Sequence, residues 1–157
     1  MFVIAITTLG VASAALAQPQ LAGLSATTLD RSGRLVLTGT GFGASQGSSQ
    51  VLIDGITAIV TTWSSTEIHA YVPESASIAT VPVQVMASGI PSNVLAVTVT
   101  LRQPNGRIRW RFQTDDYVPL QFVARGSNGI VYVSDWAGLY ALSPDGGLQW
   151  FVKGAGG

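Results

Sequence analysis

Short β-prone runs, each ended by glycine, proline or small polar residues after 8 to 12 positions, leave this chain few folds to choose from. The runs fall near 20–27, 34–40, 50–53, 56–63, 66–72, 80–87 and 93–101. Within them apolar side chains occupy every second position: Ile68, Ala70 and Val72, then Val81, Val83 and Val85, then Leu95, Val97 and Val99. Such alternation gives each run one core-facing side, and no apolar pattern of helical period competes with it. Asp54-Gly55 between two apolar runs predicts a hairpin, because both residues tolerate positive φ. Pro73, Pro82 and Pro91 are expected at run edges, where a missing N–H costs little. Residues 18–101 are therefore expected to form a two-sheet β-sandwich in an all-β chain.

Composition narrows the chemistry. Eight basic and eight acidic side chains cancel, and only 10% of the 157 residues are charged. No basic surplus exists to meet a phosphate backbone, so a nucleic-acid partner is not expected. The absence of cysteine excludes disulfides, thiol nucleophiles and thiolate metal sites, and a single histidine excludes a multi-histidine metal centre. Residues 1–17, MFVIAITTLGVASAALA, carry no charge and end in the small-x-small pattern Ala15-Leu16-Ala17. They are shorter than the roughly 20 residues of a membrane span. The segment reads as an N-terminal signal helix cleaved after Ala17, giving a secreted, periplasmic or cell-surface protein with no membrane association after its removal. A buried core helix and a retained anchor are the alternatives. The missing Lys or Arg near Met1 leaves room for a longer leader.

Gly39-Thr40-Gly41-Phe42-Gly43, Val51-Leu52-Ile53-Asp54-Gly55, Trp63-Ser64-Ser65-Thr66-Glu67-Ile68, Val72-Pro73 and Pro91-Ser92-Asn93 follow one another in an ordered series. In order and spacing the series resembles an IPT/TIG domain. The resemblance spans 19–101 and implies an immunoglobulin-like β-sandwich that does without an intersheet disulfide. It implies a fold more than an activity. Physically, the glycines allow a sharp turn after a strand while Phe42 is expected to plug one end of the sandwich.

A second unit follows in residues 102–157. Pro104-Asn105-Gly106-Arg107-Ile108-Arg109-Trp110-Arg111-Phe112 returns 40 residues later as Pro144-Asp145-Gly146-Gly147-Leu148-Gln149-Trp150-Phe151-Val152. A period of about 40 is that of a propeller blade. With Gly129-Ile130-Val131-Tyr132-Val133 and Gly138-Leu139-Tyr140-Ala141-Leu142 between the copies, the segment resembles a PQQ-like β-propeller repeat: one incomplete blade plus the start of another. One blade cannot bury both faces of its sheet, so the chain reads as the front piece of a longer protein or a truncated gene model. An accidental match within a larger immunoglobulin-like domain is the alternative.

Site-like patterns are few. Gly43-Ala44-Ser45-Gln46-Gly47 matches a nucleophile elbow in letters, but strands flank it where a helix is required. Gly39-Thr40-Gly41-Phe42-Gly43-Ala44 lacks the helix that would hold a pyrophosphate. His69 is expected to be exposed and uncommitted, and Asp115-Asp116 to lie in a polar loop. Trp110 and Trp150 are expected to share a face with Phe112, Leu148 and Val152 and pack between blades. Trp63 and Tyr71 are candidate exposed platforms for a glycan, while Arg107, Arg109 and Arg111 form a candidate basic stripe. No catalytic, cofactor or metal-ligating residue is expected. The functional expectation is a non-catalytic exported module binding protein or extracellular glycan, or acting as a spacer. The alternative is the accessory region of a secreted enzyme or quinoprotein whose catalytic part lies elsewhere.

Overall fold

A computed structural model describes residues 18–103, 109–115 and 122–154; the leader 1–17, Arg107 and Asp116 lie outside them. The described chain is all β. The first sheet has the order β1 (Gln20–Leu24), β3 (Arg34–Thr40), β7 (Glu67–Tyr71), β6 (Ile59–Trp63). The second runs β2 (Thr28–Asp30), β10 (Leu95–Thr100), β8 (Thr80–Ala87), β4 (Gln50–Ile53), β5 (Ile56–Thr57), with β9 (Ile90–Pro91) paired to the end of β8. Between them the alternating positions meet as expected: Leu35, Leu37, Ile68, Ala70 and Val72 face Val51, Ile53, Val83, Val85, Val97 and Val99, all at most 1% exposed.

Two expected strands each divide between the sheets. The run 20–27 pairs with β3 only as far as Leu24, because the Ser25 hydroxyl then accepts the Val36 N–H at 2.9 Å. The chain crosses over, and β2 joins β10 in parallel. The run 56–63 breaks at Ala58, whose small buried side chain lets the backbone pass from β5 to β6. Asp54 and Gly55 form the expected hairpin turn with φ of 58° and 73°. Pro82 is not at a run edge but inside β8. Its carbonyl accepts the Asp54 N–H at 2.9 Å, so its missing donor faces the place where β4 has already turned away.

Phe42 closes one end of the sandwich at 1% exposure, beneath the edge of the Trp63 ring. This closure depends on Gly39. A Cβ there would stand 2.0 Å from the Gln20 carbonyl oxygen and 2.5 Å from the Phe42 ring.

A third sheet, separate from the sandwich, is the antiparallel meander β11 (Phe122–Arg125), β12 (Val131–Ser134), β13 (Gly138–Leu142), β14 (Leu148–Lys153). Val133, Tyr140, Leu142 and Leu148 form its buried side. The two tryptophans expected to be equivalent are not. A bulge opposite Ala141 and Leu142 inserts Gln149, which leaves Leu148 inside and turns Trp150 to the other face, against Tyr132. Phe122, Trp150 and Val152 lie open there. Trp110 stays on the inner side, its ring against Gly146 and its indole N–H donating to the Pro144 carbonyl at 3.0 Å. Residues 109–115 form no strand but a strap across the sandwich.

Gly39→Ala is expected to cost about 1–3 kcal/mol by overpacking. A lower midpoint at unchanged slope in urea unfolding checks this, and an unchanged midpoint contradicts it.

Candidate functional site

Along β3 and β7 the residues between the core positions point outward: Arg34 and Val36 on one strand, His69 and Tyr71 on the other, with Ile59 and Thr62 of β6 beside them. A solvated sheet face should be polar, yet Val36, Ile59 and Tyr71 are not. The strap and the third sheet cover this face. Phe112 stacks on Tyr71 with centroids 5.3 Å apart and planes at 12°, and Tyr140 meets both rings edge-on. The Tyr71 hydroxyl donates to the Gln113 carbonyl at 2.8 Å. Tyr71 is therefore no exposed glycan platform: it is 1% exposed, and burial drives its hydroxyl pKa far above the ordinary range.

Asp115 is the polar centre of the contact. Its carboxylate accepts from His69 Nδ1, from the Thr62 hydroxyl and from Arg34 Nη1 at 3.4 Å, while Arg34 also donates to its backbone carbonyl at 2.8 Å. Burial alone would raise the Asp115 pKa, but the hydrogen bonds from His69 and Thr62, with the neighbouring Thr61 hydroxyl and the His69 charge, outweigh it and hold the group at about 2. His69 is thus committed, contrary to the expectation for it. The bond to Asp115 raises its pKa, against the opposing effect of burial, and a second bond from Nε2 to Glu67 Oε1 at 2.9 Å adds to the rise. A carboxylate at each ring nitrogen favours the protonated, doubly donating form of His69, which has no free lone pair for general-base work.

A second clamp closes the other end. Arg102 donates to Glu74 Oε2 at 2.9 Å, to the Arg31 carbonyl at 2.8 Å and to the Asp145 carbonyl at 3.1 Å. Ser32 Oγ donates to Glu74 Oε1 at 2.6 Å and accepts the Leu148 N–H at 2.7 Å. The linker is thereby fastened to both units.

Several cavities lie along the contact, two of which border Asp115. An apolar one of about 500 Å³ lies between the strap and the third sheet, lined by Trp110, Phe112, Val131, Val133 and Leu142 with Arg34 at its margin. A polar cleft of about 320 Å³ is lined by Thr61, Thr62, Trp63, His69, Trp136 and Lys153. Trp63 is half-buried, its indole N–H held by the carbonyls of Phe42 and Gly43 at 3.3 and 3.2 Å. Arg109 and Arg111 are exposed on the strap, opposite half-buried Trp110 and Phe112, so their alternation survives without a strand. Arg107, the third member of that stripe, lies outside the described residues. Arg34, Glu74, Arg102 and Asp115 escaped sequence reasoning. Apolar residues on the outward face of β3, β6 and β7 were the available signal.

A mostly antiparallel two-layer sandwich whose chain crosses between its sheets five times, closed without a disulfide, defines an immunoglobulin-like domain. The chain belongs to the IPT/TIG family: residues 20–100 match the IPT/TIG domain model. No curated protein matches the sequence. Among solved structures, the γ-CGTase of alkalophilic Bacillus clarkii is similar over 54% of this chain and 12% of that one, at 20% identity and a TM-score of 0.50. A structural-genomics protein of unknown function from Bacteroides thetaiotaomicron VPI-5482 matches over 88% of this chain and 38% of its own, at 9% identity and a TM-score of 0.49. An auxiliary nutrient binding protein from the same organism matches over 89% and 38%, at 12% identity and a TM-score of 0.45. The chain spans a minor part of each, and the likeness to the first is one of fold.

Asp115, lowered from 3.8, strengthens the contact fully above that value and loses its contribution as pH falls through about 2. His69, raised from 6.5, contributes fully below 6.5 and loses its contribution as pH rises through the raised value. Stability of the full chain is therefore expected to decline above roughly pH 6.5, and His69→Gln to abolish that decline. Denaturant midpoints across pH check this; an equal decline in the variant contradicts it.

Proposed function

We propose that the protein is a non-catalytic, exported binding and structural module in which the IPT/TIG sandwich is a rigid mount for the first blade of a PQQ-like β-propeller. The observation that carries this reading is the double fastening of the two units through Asp115 and Arg102. A flexible tether between independent domains needs no partly buried ion pairs, whereas a mount that sets the orientation of a second body does.

Three further features support it. The third sheet has four strands in meander order, as a blade has. Its last turn and strand repeat, at an offset of 40 residues, the segment 104–112 that precedes the sheet. Its outer face leaves Phe122, Trp150 and Val152 open, 55%, 41% and 57% exposed, an apolar surface suited to a neighbouring blade. Export is supported by the uncharged leader ending at Ala17, and a protein or glycan partner by loop tips and clefts set on a rigid scaffold.

Two measurements test the proposal. Expressed with its leader in a secreting bacterium, the protein should be recovered outside the cytoplasm with Gln18 as its first residue; cytoplasmic protein retaining Met1 contradicts export. The coding sequence that continues this reading frame in its gene should contain further tryptophan-bearing repeats of about 40 residues; a catalytic domain in their place contradicts the propeller reading.

A further inference from the structure

The polar cleft between the units has a composition that the fold does not require. A bulge in β6 falls between Val60 and Thr62, so that Thr61 and Thr62 both line the cleft instead of alternating away from one another. Bulges re-aim side chains in this way. The buried Thr61 hydroxyl makes no hydrogen bond of good geometry, although it lies close enough to Asp115 to help lower the pKa of that carboxylate. Trp63 contributes from the sandwich and Trp136 from the turn between β12 and β13. Trp136 is 63% exposed, although the turn around it is fixed by the bonds of Asp135 to Gly138. An indole held in water by a rigid turn contributes nothing to the core and is available to a ligand.

The charges in the cleft balance except at one point. Asp115 faces His69 and Arg34, and Glu67 faces His69. Among the described residues, Lys153 has no carboxylate partner.

From this arrangement we infer that the cleft is a binding site for an acidic saccharide, a uronic-acid oligomer. Pyranose rings carry an apolar face of polarised C–H groups that packs on the electron-rich face of an indole. Their hydroxyls require the hydrogen-bonding groups that Thr61 and Thr62 supply, whereas an apolar peptide anchor would require aliphatic walls. A sugar carboxylate supplies the charge that Lys153 lacks. The volume of about 320 Å³ lies at the small end of ligand pockets, which hold ~300–1,000 Å³. The two units build the site together, so it exists only while they are docked. The inference rests on the reading of the chain as a binding module and specifies its ligand.

The test titrates the full chain with oligogalacturonate and with a neutral oligomer of matched length, following the tryptophan indole N–H resonances by NMR. Oligogalacturonate should shift the Trp63 and Trp136 signals. Lys153→Gln should weaken its binding about tenfold, the loss of one charge-assisted contact, towards the level of the neutral oligomer. Trp136→Ala should abolish binding of both, while Trp150→Ala, which removes an exposed indole outside the cleft, should bind as the parent does. Equal affinity for the two oligomers, no binding of either, or equal losses in Trp136→Ala and Trp150→Ala overturns the assignment. A folded, exported chain that binds no saccharide sinks the cleft alone and leaves the module reading standing. A chain that stays in the cytoplasm with Met1 intact contradicts export, whatever the titration shows.

Discussion

Tyr71 joins the sandwich to the core of the third sheet. Its backbone is a rung of β7, paired with Arg34 on one side and Ile59 on the other, while its ring lies among Phe112, Tyr140 and Leu148 beneath the third sheet. A four-stranded sheet of this size cannot bury enough surface by itself to overcome the entropy of ordering its chain. It needs a second layer, and the sandwich with its strap provides one. The aromatic stack at Tyr71 does for the third sheet what a facing sheet does inside the sandwich.

Charge pairing then orients what apolar contact brings together. Hydrophobic burial has no direction, so a ring stack alone would tolerate sliding. Asp115 and Glu74 accept bonds at opposite ends of the contact, one from β3, β6 and β7, the other from the linker and the loop after β2. Partly buried ion pairs of this kind add little net stability, since desolvation offsets attraction. Their effect is on geometry, because a displaced unit would leave buried charges unmatched. The cleft at Thr61, Thr62 and Trp136 follows from that geometry, its walls being drawn from both units.

Much of the sandwich was legible because its determinants are local. Alternation marks a core face, Asp54-Gly55 marks a hairpin, and Gly39 with Phe42 marks the closed end. Period-two alternation does not say which sheet a residue joins, so the crossings at Ser25 and Ala58 were invisible. A bulge is equally silent, and a single inserted residue, Gln149, separated Trp150 from Leu148. The candidate site was legible only in pieces. Trp63, Tyr71 and His69 stood out by residue type, but Asp115 lies 46 residues beyond His69 and looked like an ordinary loop acid. Its role depends on a long-range contact that no local pattern encodes.

If the third sheet depends on the sandwich for half of its core, removing the shared ring should loosen one and spare the other. Native-state hydrogen exchange on full-length Tyr71→Ala tests this most directly, using amides of the sandwich as an internal reference. Protection of the amides of Val133, Tyr140 and Leu142 should fall by about two orders of magnitude or more, as a truncation costing ~3–5 kcal/mol implies, while those of Leu37 and Val83 keep most of theirs. Undiminished protection throughout β12 and β13 would show a sheet that stands on its own, and would contradict the account.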